Sequence, residues 1–188
     1  MSDFEFLSVL ISIIIGFGLT HLLSGLGHAF YFRHKSRIDA EHLAWCVVLF
    51  FILVLNWWVA LLWRDFEPWN FTVFLIMVVW TISMYVMGLA LFPPQDKEAI
   101  DYRALMAENR VWFLTAFIVM YVLDFVVTEI RRHGSVDPLY VGYIAIYIAL
   151  ALVGIFFRNR RFHLFIAWYI AVTLIAWSFG IRQTLSFG

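Results

Sequence analysis

Asp124 is the residue best placed to do chemistry, because it is a carboxylate inside the apolar run from Val111 to about Ile130. A carboxylate near the centre of a membrane helix costs on the order of 3 kcal/mol to insert, so it faces a polar partner rather than lipid. Such a group takes up and releases protons, which is the chemistry of an ion or proton path. The competing reading is a buried structural hydrogen bond. If the runs holding Asn56 and Asp124 cross in the same direction, helical rise puts both about 5 Å from the midplane, making Asn56 the expected partner. Tyr121 and Thr128 share the face of Asp124 at helical spacing, and Tyr143 and Tyr147 of a later run lie at compatible depths. His21 falls about 5 Å on the other side of the midplane, close enough in depth for one water or tyrosine to join it to Asp124. Against that stands a simpler role, in which the imidazole bonds a backbone carbonyl and locks two helices together.

Three further histidines, His28, His42 and His163, fall at the same end of three different apolar runs. Three imidazoles can hold zinc and two on facing helices can hold haem, so a metal centre is the alternative site. Ordinary interfacial side chains reaching headgroups and water are the other reading. His21 and His28 cannot share one ion, since seven residues of helix separate them by about 10 Å. The chain has no His-x-x-x-His, no Glu-x-x-His and a single cysteine, Cys46. No phosphate-binding glycine loop, nucleophile elbow or triad order is present either, so no catalytic residue is assigned and no enzyme is expected.

The elements that must position these groups are membrane helices. Of 188 residues, 64% are hydrophobic and only 14% charged, outside the range of soluble domains. Thirteen basic side chains balance thirteen acidic ones, which gives no field directed at nucleic acid. Six spans, at about 6–32, 42–63, 69–92, 111–130, 138–157 and 162–181, account for nearly all the apolar residues and form one transmembrane domain over 1–188. The turns between them are short, which makes sequential helices antiparallel neighbours. A capped helix beginning at Asp96 is expected to run into the fourth span. The loops after spans one, three and five hold nine basic residues against four on the other side. That asymmetry predicts a cytoplasmic location for those loops and both termini outside.

Span one is unusual in its polar content. Ser8, Ser12, Gly16, Thr20 and Ser24 recur every fourth residue, with Gly18, Gly25 and Gly27 interspersed. Small residues let two backbones approach closely, so this ridge is expected to be gripped by another helix. The run from Ser8 to Gly27, and loosely the Trp57-Trp58 region, resembles small bacterial integral membrane proteins of comparable length and no assigned function. That resemblance implies a multi-pass protein of a bacterial cytoplasmic membrane.

Together these features predict an all-α bundle of six membrane helices. Its expected role is a homo-oligomeric channel or transport-like protein, with Asp124, Asn56, His21, Thr128, Tyr143 and Tyr147 along a polar path. Its expected partners are membrane lipids and copies of itself, with no cofactor and no nucleic acid. The alternatives are a haem- or metal-binding redox protein and a structural or sensing subunit.

Overall fold

A computed structural model describes residues 3–93 and 99–180. Among them the chain is all-helical: α1 Asp3–Tyr31, α2 Ala40–Ala60, α3 Phe71–Leu91, α4 Tyr102–Arg132, α5 Pro138–Phe156 and α6 Arg160–Gly180, with a 3-10 turn Leu61–Trp63 after α2. All six helices are long and apolar enough to cross a membrane. The protein is a polytopic helical membrane protein.

The helix starts are written locally. Asp39, Asn70, Asp101 and Asp137 each accept a hydrogen bond from a first-turn amide of α2, α3, α4 and α5, and Asn159 does the same for Arg161 at the start of α6. Each carboxylate or amide oxygen thereby satisfies one of the amides that a helix start leaves unpaired. Helix α4 begins at Tyr102 under Asp101, so the expected Asp96 cap is not its start, and Asp96 itself lies outside the described residues. At its other end α4 stops because His133 and Gly134 turn left-handed, with φ of 48° and 84°.

The helices close into a ring in the order α1, α3, α4, α5, α6, α2, with α2 leaning inward to touch α3 and α4 as well. Sequential neighbours therefore do not dominate everywhere: the main partner of α1 is α3, and that of α2 is α6. Along α1 the buried positions are Leu7, Ile11, Ile15, Gly18, Leu22, Gly25 and Ala29, a seam of four- and three-residue steps. The small-residue ridge is for the most part not that seam. Ser12, Thr20 and Ser24 face outward, Ser8 and Gly16 are half-buried, and only Gly18 and Gly25 of the expected packing residues lie within the bundle.

One end of the ring is tied across its loops. This is the basic end, where the connections after α1, α3 and α5 lie. The Arg37 amide donates to the Ile100 carbonyl at 3.0 Å, and the Tyr102 amide to the Arg37 carbonyl at 3.1 Å. Ser36 Oγ accepts from the Ile100 amide at 3.2 Å. Asp39, only 5% exposed, accepts from the Arg160 guanidinium at 2.6 Å, joining the start of α2 to the start of α6. Burial alone would raise the Asp39 carboxyl; Arg160 and the amides of Glu41 and His42 outweigh it and hold it below its ordinary 3.8. A carboxylate with a depressed folded value stabilises the fold above its unfolded value and loses that contribution as pH falls through the folded one. The difference in melting temperature between the protein and Asp39→Asn in detergent is therefore constant above about pH 4 and shrinks on further acidification. A difference that instead disappeared between pH 5 and 7 would contradict the lock.

Candidate functional site

Three of the histidines, His21, His42 and His163, are accounted for by helix ends. Helix α3 finishes at the basic end inside the bundle, where its last carbonyls have no further turn to accept from. Each finds a side chain from a different helix. Asn109 Nδ2 of α4 donates to the Ala90 carbonyl at 2.9 Å, His42 Nε2 of α2 to Leu91 at 3.0 Å, and His21 Nε2 of α1 to Phe92 at 3.2 Å. A carbonyl can only accept, so both imidazoles carry their proton on Nε2. His163 serves α5 in the same way, with Nε2 2.7 Å from the Phe157 carbonyl. His28 instead packs against the ring of Phe32. The expected convergence of His28, His42 and His163 on one ion is not found: two of the three spend a ring nitrogen on a backbone carbonyl. Among the described residues no three His, Cys, Asp or Glu side chains gather as metal ligands. Cys46 Sγ lies 3.8 and 3.9 Å from the two ring nitrogens of His42. Being nearly equidistant, it lies along neither lone pair, which is not the arrangement of a thiol–imidazole nucleophile.

Close packing surrounds these caps. A Cβ on Gly25 would run into the Phe92 ring, one on Gly18 would sit 3.0 Å from Leu53 Cδ2, and one on Gly88 would lie 3.5 Å from the His21 ring. Gly27, on the outward side of α1, has nothing within 4 Å of such a carbon.

The opposite half of the bundle holds a polar cavity of about 50 Å³. A water needs about 10–15 Å³ of such space, so the cavity has room for a few. Its walls come from α2 through α6, including Asn56, Trp80, Tyr121, Asp124, Thr128, Arg131, Tyr140, Tyr143 and Trp177; α1 contributes nothing. Tyr121, Asp124, Thr128 and Arg131 lie three or four residues apart and so form one face of α4. Toward the basic end the cavity gives way to fully buried packing, with Trp45, Leu49, Phe117, Tyr147 and Ile170 each at most 1% exposed.

Within the cavity the sequence expectation is corrected in its detail. Asn56 lines the wall but donates to the Ile52 carbonyl of its own helix at 2.7 Å. Asp124 instead accepts from Tyr140, whose hydroxyl donates to Oδ2 at 2.5 Å. Thr128 Oγ1 stands 3.0 Å from the same hydroxyl, which makes a three-member chain, Thr128 to Tyr140 to Asp124. Tyr143 lines the cavity and stacks on Trp177, with 4.7 Å between ring centroids. Tyr147 lies beyond it, with its hydroxyl 2.6 Å from Thr173 Oγ1. His21 is not part of this site: it belongs to the α3 cap and packs edge-on against Tyr85. Depth alone does not pair Tyr140 with Asp124: Asp124 lies about 12 Å back from the end of α4 and Tyr140 about 3 Å into α5, so equal depth points to Tyr143 and Tyr147 instead.

Fold and site thus define a six-helix membrane protein with a carboxylate-bearing cavity in one half and a tightly packed other half. Comparison with protein-family models, with curated proteins and with solved structures finds no match to this chain.

Three substitutions test the packed half. Gly25→Ala is expected to destabilise the protein by roughly 1–3 kcal/mol, because the Phe92 ring must move, whereas Gly27→Ala is near neutral. His42→Leu leaves the Leu91 carbonyl without its donor and should cost about 1–3 kcal/mol. Thermal unfolding in detergent reads all three, and equal melting points for the two glycine variants would contradict the α1 seam. In the cavity, Tyr140→Phe should shift the infrared carboxyl band that Asp124→Asn removes. An unshifted band would mean that the hydroxyl does not bond the carboxyl.

Proposed function

We propose that the protein is a transport-like membrane protein in which Asp124 binds and releases a proton inside the cavity. The observation that carries this reading is the hydrogen-bonded chain Thr128, Tyr140, Asp124 on the wall of a cavity with room for water. Such a chain has two proton arrangements. With Asp124 ionised, Thr128 donates to Tyr140 and Tyr140 to the carboxylate; with Asp124 protonated, the carboxyl donates to Tyr140 and Tyr140 to Thr128. The heavy atoms need not move between the two, so the carboxyl can change charge without losing its partner. Arg131 lines the same cavity and brings a positive charge to its wall.

The apolar packing between the cavity and the basic end argues against a pore standing open through one subunit. It fits a site reached from one side at a time, with a rearrangement required for passage. On the charge asymmetry of the loops, the side reached here is the outer one. The reading does not depend on subunit number, since the cavity lies within one chain.

The test is proton flux into liposomes carrying an internal pH dye, driven by a potassium diffusion potential. The protein should exceed protein-free vesicles, and Asp124→Asn should slow the flux by roughly a hundredfold, the lower range for a positioned proton-transfer group. Tyr140→Phe should fall between the two. Flux unchanged in Asp124→Asn would remove Asp124 from the function.

A further inference from the structure

A second feature lies on the outside of the ring, on the lipid-facing side of α6. Arg161, Phe165, Trp168, Tyr169, Val172 and Thr173 line a shallow groove of about 540 Å³. Its floor is apolar in effect. Thr173 spends its hydroxyl on the Tyr169 carbonyl at 2.7 Å and on Tyr147, and Phe165 stacks on Tyr169 at 5.9 Å between centroids. Phe165, Trp168 and Val172 remain 59%, 46% and 60% exposed, open to whatever fills the bilayer around them. From Arg161 to Thr173 the helix rises about 18 Å. That is close to the depth of one leaflet, about half of a 30 Å hydrocarbon core.

The charge at the head of the groove is unbalanced. Of the three arginines where α5 turns into α6, Arg160 is held by Asp39. Among the described residues neither Arg158 nor Arg161 has an ion-pair partner, and the first turn of α6 carries no acidic residue. Arg161 lines the head of this groove, and Arg158 precedes it by three residues at the same turn; guanidinium groups there, beside an apolar channel about one leaflet deep, match a molecule with an anionic head and a long chain. We propose that this groove binds an anionic phospholipid, one acyl chain lying along Phe165, Trp168 and Val172 and the headgroup phosphate held by Arg158 and Arg161. Planar guanidinium groups suit phosphate oxygens, and the arginine stems can lie along the chain while their heads stay in the interface.

The test is native mass spectrometry of the full chain in an uncharged detergent, titrated with phosphatidylglycerol or with phosphatidylcholine of the same chains. The first phosphatidylglycerol should bind roughly 25-fold more tightly, since each of the two basic groups near the surface contributes roughly fivefold for an anionic lipid. The double variant Arg158→Gln/Arg161→Gln should bring the two lipids to parity. Trp168→Ala should weaken both alike. Arg33→Gln, at the same end but away from α6, should leave the preference intact. All of these side chains are exposed, so the variants are expected to melt as the parent protein does. The proposal is overturned by equal binding of the two lipids to the parent protein, or by a preference that survives the double variant. It is overturned equally if Arg33→Gln abolishes the preference, or if inorganic phosphate alone displaces the lipid.

Discussion

A helix that ends inside apolar surroundings leaves carbonyl oxygens with nothing to accept, and in a bilayer each such group costs several kcal/mol. Helix α3 meets this constraint at Ala90, Leu91 and Phe92, and the answer comes from three other helices. The end of α3 is thereby the point at which α1, α2, α3 and α4 are registered against one another. Small residues follow from it: Gly25 lets α1 approach closely enough for the Phe92 ring to fill its place, and Gly88 leaves room for the His21 ring. Histidine suits the task because its ring spans the gap between helices while its nitrogen still donates.

The two halves of the bundle consequently differ in kind. The basic end is cross-tied by backbone bonds between loops, by Asp39 to Arg160 and by the imidazole caps. The other half combines aromatic contacts, with Trp63, Phe66 and Trp69 clustered near the turn and Tyr140, Tyr143 and Trp177 around the cavity, with the hydrogen-bonded chain from Thr128 through Tyr140 to Asp124 between α4 and α5.

The spans themselves were legible because length and charge-free composition are enough to mark a membrane helix, and their observed limits differ from expectation by only a few residues except where α4 extends to Tyr102. That Asp124 has a polar partner was legible for a similar reason, since a carboxylate in lipid demands one. The identity of that partner was not. Equal depth pointed to Asn56, but an asparagine can turn back onto its own helix, and it does. Which face of α1 packs inside one chain was not legible because, in lipid, hydropathy does not distinguish a buried face from one that meets acyl chains. Small residues mark close approach only where another helix is present to use it, as Gly18 and Gly25 show and Gly27 does not. The role of His21 as a carbonyl donor was foreseen, but the identity of the carbonyl depends on where α3 ends.

The tie between Asp39 and Arg160 joins positions 121 residues apart in sequence. At about 5–20 residues per second, the ribosome needs on the order of ten seconds to make the intervening chain. During that interval α2 has α1, α3 and α4 to pack against but lacks α6, its principal neighbour, and the acidic start of α2 stands without its counter-ion. The ring is therefore completed only once α6 has been made, and a chain truncated before α6 would leave the membrane holding an open arc rather than a smaller bundle.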